Sequence, residues 1–543
     1  MNHNRPKLRE RALFLLNPDA GQRLYSSRLQ KERAVEAGRQ EKIHPAALRM
    51  AASGYGNHGA SQTLTSLTGW QVGGGSAEDD SDLHGALLRL RSRDLYAGGG
   101  LARSAVDTLV DNVVAWGIRP KPSIDGEALG LDREACNSWE RAALREWRLW
   151  AENRMCDAER QMDFYGLQKM AFRSMLMSGD CFAIFGMKEN MRTPYLTTLR
   201  ILEADRVSTP EGTAGESESR ATDSGGRIID GVEINREGAV VRYHVASRHP
   251  LLEDSAEEIS WQPIEAFGSE TGLPNILHVM VHERPEQRRG IPFVAAVIEQ
   301  IKQLDRYMNA ELTANIIAGL LSIFLTSKDD VSDPGLQDAV NEDEKISTDE
   351  LMVELAPGAV FDLPPGKEVA SVNPGRANTA FSDFVATMQT SIGAARGIPK
   401  EVLIHRYDSN YTAARGAKLD FWRTVQIYRA AFNADFNQAV YEMWLTEAVA
   451  AGRIEAPGFF DDPLIRQAWC GCQWMGASMG HIDPIKEVNA AEKRIKNNIT
   501  TEEQEAAEYN GNNWWTNIGQ RKVEMTVFDD LRPENNTEQN KGE

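Results

Sequence analysis

Apolar positions recur along this chain first every three to four residues, then every second residue, then every three to four again. From Ser81 the first regime is clear. Val106, Leu109, Val110, Val113 and Val114 form one helical stripe in ARSAVDTLVDNVVAWG, which Gly117 closes. Trp139, Ala143, Trp147 and Trp150 recur at helical spacing in NSWERAALREWRLW and read as core or interface anchors. A third helix is predicted over 163–178, stopped by Gly179.

The period then falls to two. CFAIFG, YLTTLRILEADRV, GRIIDGVEI and VVRYHV each read as a strand, the last two joined by the turn NREG. NILHVMVH continues this β-rich region up to ERPEQRRG. Helical spacing returns at Pro292, predicting a helix over 292–319 that is roughly 40 Å long. A compact insert follows, with LLSIFLTS, an acidic linker, then LMVEL, AVFDL and EVASV separated by APG and PPG. A further helix carries Phe381, Val385, Met388 and Ile392 on one face and stops at Gly-Ile-Pro.

From about Tyr411 to Ala451 one face holds Phe421, Val425, Tyr428, Phe432, Phe436, Val440 and Met443, with Gly452 beyond. Unbroken, that helix is roughly 60 Å long, more than one globular core usually requires. Shorter helices finish the chain, one of them opened by a capping box of Thr500 and Glu503. Residues 1–78 lack this periodicity. Their Gly/Ser-rich stretches GYGNHGASQTL and QVGGGSAEDD predict a flexible arm, and LRPENNTEQNKGE at the other end reads as disordered. Long helices around a small β-containing insert describe an elongated subunit packed beside its own copies rather than a common enzyme plan.

Composition narrows this picture. The 543 residues suffice for several domain-sized units, and 60 basic against 79 acidic residues leave a net charge of −19. Such a surface resists non-specific phosphate binding, which draws on Lys and Arg to release counterions. Five scattered cysteines and no evident signal peptide predict free thiols in a reducing compartment. The longest apolar run, 316–325, is about half of a bilayer span.

The candidate chemistry is thin. GASMG at 476–480 fits the G-x-S-x-G pattern, with Ser478 as nucleophile and His481 and Asp483 close behind. A nucleophile elbow needs a core strand before the serine, a helix after it, and its histidine much later, so a structural turn is the stronger reading. His278 and His282 share a strand face without a third ligand, and Cys470 and Cys472 form a C-x-C without a second pair. PPGKEV lacks the phosphate-loop spacing. Basic runs interleaved with aromatics are missing, and the arginines of RPEQRRG read as surface or subunit contacts. Catalytic, metal and cofactor-binding residues are therefore not expected.

Five segments in order carry a resemblance: ARSAVDTLVDNVVAWGIRPKP, HERPEQRRGIPFVAAVIEQIKQLDRYMNAEL, ELAPGAVFDLPPGKEV, YTAARGAKLDFWR and AWCGCQWMGASMGHIDPIKEVNAA. Together they resemble the lambda-like family of tailed-bacteriophage portal proteins, from about residue 65 to 515. The resemblance implies a mainly helical α+β subunit of the portal fold. It implies a ring of about twelve copies at one capsid vertex, a channel for double-stranded DNA packaged by terminase and ejected toward the tail. It would nucleate head assembly and dock terminase large subunit, head-completion or connector proteins, and major capsid and scaffold proteins. Its place would be the virion, reached through the host cytoplasm.

By the same resemblance, 79–290 is the wing, 291–319 the first stem helix, 320–376 the clip and 377–398 the second stem helix. A tunnel loop at 399–413, a long wing helix at 414–458, a crown at 459–528 and a tail at 529–543 complete it. Gly98, Gly99 and Gly100 stand where an Asn-rich turn is expected. Arg406, Tyr407, Asp408, Ser409, Asn410 and Tyr411 would project toward DNA at the narrowest point, the alternative being a loop that merely caps the next helix. The competing functions are a serine hydrolase using Ser478, another head–tail structural protein, and a membrane pore.

Overall fold

The computed structural model describes residues 26–27, 74–213, 215–223, 225–252, 258–319, 323–327, 367–371, 380–407, 410–479, 484–510 and 514–531. The chain divides into two units, Met1–Gly75 and Ser76–Glu543. In the first, only residues 26–27, which are helical, and 74–75 are described, so the expected arm lies almost wholly outside the described residues.

The second unit opens on a short helix, Ala77–Asp80, held by a capping box between Ser76 and Asp79. Helices α1 (Gly85–Gly98) and α2 (Gly100–Val113) follow, separated by Gly99 alone. Gly99 is extended there, and a Cβ on it would lie 2.8 Å from the Leu95 carbonyl oxygen, which is why the tight corner takes glycine. Then come β1 (Arg119–Pro122), α3 (Arg133–Ala151) and α4 (Phe164–Ser178). Asp132 and Asp163 cap the two helices, each accepting from a backbone N–H in the first turn.

Trp147 sits at the centre of the main core. Its ring centroid lies 5.0 Å from Trp150, 5.2 Å from Phe164 and 5.1 Å from Trp444, and all four side chains are buried. The tryptophan spacing thus marks core. Trp150 donates its indole N–H to the Thr197 carbonyl at 2.8 Å, which satisfies the polar end of a buried ring.

Strands β2 (Asp180–Met187) and β3 (Thr197–Leu202) come next, then β4 (Ser219–Ala221), β5 (Arg227–Ile229), β6 (Val232–Ile234), β7 (Val240–Ala246), β8 (Trp261–Glu265) and β9 (Ile276–Met280). They form two antiparallel sheets, β3-β2-β9 and β4-β5-β6-β7-β8. GRIIDGVEI is two strands rather than one. Asp230 and Gly231 both adopt positive φ, the conformation a tight two-residue hairpin demands, and the apolar run turns back on itself there. Strand β8 was not expected from the sequence at all.

The helix expected from Pro292 starts later. A 3-10 turn at Ala295–Val297 precedes α5 (Ile298–Gly319). Of the insert, only β10 (Ile323–Ser327) and β11 (Lys367–Ser371) are described, as an antiparallel pair; LMVEL and AVFDL lie outside the described residues. Helix α6 (Phe381–Ala395) meets α5 through Tyr307, whose ring stacks on Phe381 at 5.5 Å.

The long helix is continuous in path but not in type. Between α7 (Tyr411–Phe432) and α8 (Gln438–Ala450) lies a π-helical turn, Asn433–Asn437. Its wider winding rotates the buried face by about one residue, from Phe421, Val425 and Phe432 to Tyr441, Trp444, Leu445 and Ala448. Met443, in the expected stripe, is consequently only half-buried. Helices α9 (Pro463–Trp469), α10 (Pro484–Lys496), α11 (Glu502–Asn510) and α12 (Trp514–Leu531) complete the chain, with β12 (Cys472–Met475) paired to β1. Thr501, not Thr500, accepts from the Gln504 N–H ahead of α11, one residue beyond the predicted cap. Among the described residues no helix is long and apolar enough to cross a membrane.

Candidate functional site

The segment between α6 and α7 has an anchored root and an open tip. Gly397 takes φ +66, and the Ile398 N–H donates to the Gly393 carbonyl at 2.9 Å. Pro399 then starts a single helical turn, Lys400–Leu403. Ile398, Val402 and Leu403 are buried, and Ser104 on α2 donates its hydroxyl to the Leu403 carbonyl. His405 is left-handed, and the Arg406 N–H closes the turn on the Glu401 carbonyl at 3.0 Å.

Beyond that root the tip faces solvent. Tyr407 is 45% and Tyr411 50% exposed, and Arg406 is exposed beside them. The Lys418 ammonium lies 5.1 Å from the Tyr407 ring centroid, a cation–π contact. Asn410 is committed to structure, its side chain accepting from the Ala413 N–H at 2.9 Å as the cap of α7. The structure therefore leaves Arg406, Tyr407 and Tyr411 exposed and gives Asn410 the capping role. Asp408 and Ser409 lie outside the described residues.

The arginines of RPEQRRG do not all lie at the surface. Arg289 is fully buried, and its guanidinium meets Asp180 at 2.6 Å, Asp230 at 2.8 Å and the carbonyls of Val207 and Ala204 at 2.9 Å each. Arg89, also buried, links Asp205 at 3.0 Å to Asp230 at 3.1 Å, while Arg93 pairs with Asp205. His278 places Nε2 3.3 Å from Asp180 and stacks on Phe182 at 4.3 Å.

The close approach comes from two glycines packed back to back. A Cβ on Gly290 would lie 1.9 Å from the Gly179 carbonyl oxygen, and one on Gly179 2.4 Å from that of Gly290. Asp180 and Arg289, their chain neighbours, are thereby forced face to face. Burial alone would raise the Asp180 carboxyl's pKa, but Arg289 and the His278 hydrogen bond more than reverse it and hold it well below the carboxylate range. Asp205 is held low in the same way by His249, Arg89 and Arg93 against its burial. For His278 burial dominates and lowers its pKa against the pull of Asp180.

Ser478 has no elbow around it. The strand before it, β12, is four residues long and unburied, and the Ser478 hydroxyl donates to the Tyr509 carbonyl at 3.3 Å. His481 and Asp483 lie outside the described residues. His278 is on β9, but His282 falls beyond the strand's end. Burial raises the thiol pKa of Cys470 to about 12 and also that of Cys472 well above the ordinary range, so neither is poised as a thiolate.

Comparison with known proteins identifies the family. The model of the family described as phage portal protein, lambda family, matches residues 63–429, from the start of the described fold through both helices flanking the insert and the tip into α7. Portal protein B of Escherichia phage lambda is 24% identical over 437 residues, covering 77% of this chain and 79% of that protein. The portal protein of Escherichia phage N15 is 24% identical over 461 residues, covering 81% and 84%. Among solved structures, a chain from the neck of an empty gene transfer agent particle is 11% identical, with a TM-score of 0.40 over 79% of this chain and 93% of that one. With the family match spanning more than half of its length, the chain belongs to the lambda family of phage portal proteins.

Proposed function

We propose that copies of this chain close into a ring at one vertex of a phage capsid, the virion portal, and that double-stranded DNA passes through its centre. Family membership over 63–429 carries the reading. The exposed faces support it. Met308, Leu312 and Ile316, four residues apart on α5, are 43%, 59% and 55% exposed in the single chain. An apolar stripe of that kind marks a surface that a neighbouring subunit covers.

In this reading 291–319 and 377–398 are the stem, 320–376 the clip toward terminase and connector proteins, and 459–528 the crown inside the head. The tunnel loop at 399–413 presents Arg406, Tyr407 and Tyr411 to the duplex, with Asn410 fixing the helix behind them. Few cations at the tip favour sliding over gripping, because every additional phosphate contact multiplies affinity. Hydrolysis at Ser478 is the lesser reading, since its hydroxyl is turned to a backbone carbonyl after a half-exposed strand. Negative-stain microscopy of the purified chain tests the proposal. Closed rings with a channel wide enough for duplex DNA are expected, and a stable monomer or dimer under assembly conditions overturns it.

A further inference from the structure

A cleft of about 700 Å³ opens between α3, β1 and the C-terminal helices, remote in sequence from the tunnel loop. Five cationic side chains line it, Arg119, Lys121, Arg133, Arg141 and Arg148, against two carboxylates, Glu140 and Glu503. That local excess is opposite in sign to the chain's −19. Lys121 is paired with Glu503 at 3.0 Å and Arg119 with Glu152 at 3.8 Å. Arg133, Arg141 and Arg148 form no ion pair among the described residues. Arg141 is held in place all the same, donating Nε–H to the Asn137 carbonyl and lying 5.6 Å over the Trp515 ring.

These three arginines are eight and seven residues apart on one helix, so they stand about 12 and 10 Å apart along its axis. A row of that length is matched to an extended, regularly charged polyanion rather than to one small anion. Four of the five cations are guanidinium groups, whose planar forks fit phosphate oxygens in pairs. Trp116, 60% exposed, and Trp515 add aromatic faces at the rim. An amphipathic peptide would look for a row of aliphatic contacts, and here only Leu144 and Met475 provide any besides prolines.

We propose that this cleft binds the phosphodiester backbone of DNA, as a second contact distinct from the tunnel loop. The test is fluorescence anisotropy of a labelled duplex with the full chain over a salt series. Arg141→Gln/Arg148→Gln is expected to weaken binding about tenfold at low salt and to lower the log K–log salt slope by about 2. Both side chains are exposed, so the melting temperature should match the parent's; Arg133→Gln/Arg148→Gln is the second variant should it not. Arg406→Gln/Lys418→Gln, beside Tyr407 at the tip, is the companion. Loss with that pair alone overturns the cleft and leaves the tunnel reading standing, whereas loss with the cleft pair alone supports the cleft and agrees with a tip that slides along DNA rather than gripping it. Unchanged affinity and slope in the cleft variants overturn the proposal, as does poly-glutamate binding in place of the duplex.

Discussion

Arg289 is a cation with no access to water, so its stability depends entirely on where its donors point. Taking a guanidinium and a carboxylate out of water costs several kcal/mol each, and only complete pairing offsets it. Asp180 accepts from Arg289 and from the Gly290 N–H, leaving neither partner able to lose the other cheaply. Asp180→Asn should therefore destabilise the fold by about 3–5 kcal/mol. The contribution of Asp180 and Asp205 to the pH dependence has a definite sign. Asp180 and Asp205 have depressed folded pKa values, so the unfolded chain binds their protons first as pH falls through about 4. His278, lowered by burial, adds the same sign below about pH 6.5, while His249, raised by its Asp205 hydrogen bond, opposes it there. Through these two carboxylates, denaturation midpoints should fall as the pH drops through about 4. Asp180→Asn should start lower and show a flatter acid limb; a curve parallel to the parent's would remove Asp180 from this account.

At the scale of elements, what periodicity could show was the helices that bury one face. Val106, Leu109, Val110 and Val113 are all buried as their spacing implies, and the helix ends at 178 and 395 fall near their glycine signals. Other features depend on partners far away in the chain. Strand β1 contains Pro120 and Pro122 and becomes a strand only by pairing with Cys472–Met475. The π turn is invisible to a stripe of apolar residues because its determinant is polar. Asn437, fully buried, accepts from Gln168 Nε2 at 2.9 Å, and Gln168 in turn bonds both the N–H and the carbonyl of Ile118. Asn437→Ala leaves a buried donor on Gln168 without its partner and should cost about 1–3 kcal/mol. Denaturant melts check the size. Gln168→Leu should cost more, since it also strands the Ile118 N–H and carbonyl. The double variant should cost less than the two singles together, because the Gln168–Asn437 bond is lost only once. If the double variant is as destabilised as the sum of the singles, the two side chains are not coupled.

Across the whole molecule the positive sites are assembled from distant stretches against an acidic net charge, which a scan for basic runs does not detect. The cleft draws Arg119, Arg141, Tyr165 and Trp515 from four stretches of sequence, and the tip sets Arg406 and Lys418 around Tyr407 on either side of a helix cap. The tip's independence from the core makes it separable by mutation. Its root is fixed by Ile398, Val402, Leu403 and Ser104, none of which touches the exposed rings' role. Tyr407→Ala/Tyr411→Ala should consequently shift stability by no more than about 0.5 kcal/mol, as for other exposed substitutions, and leave ring assembly intact. What it should lower is DNA retained in packaging assays, because it removes the aromatic surface while Asn410 still starts α7 where it did. Intact rings with wild-type DNA retention would deny the tyrosines a contact role, and failed assembly would show instead that the tip packs between subunits.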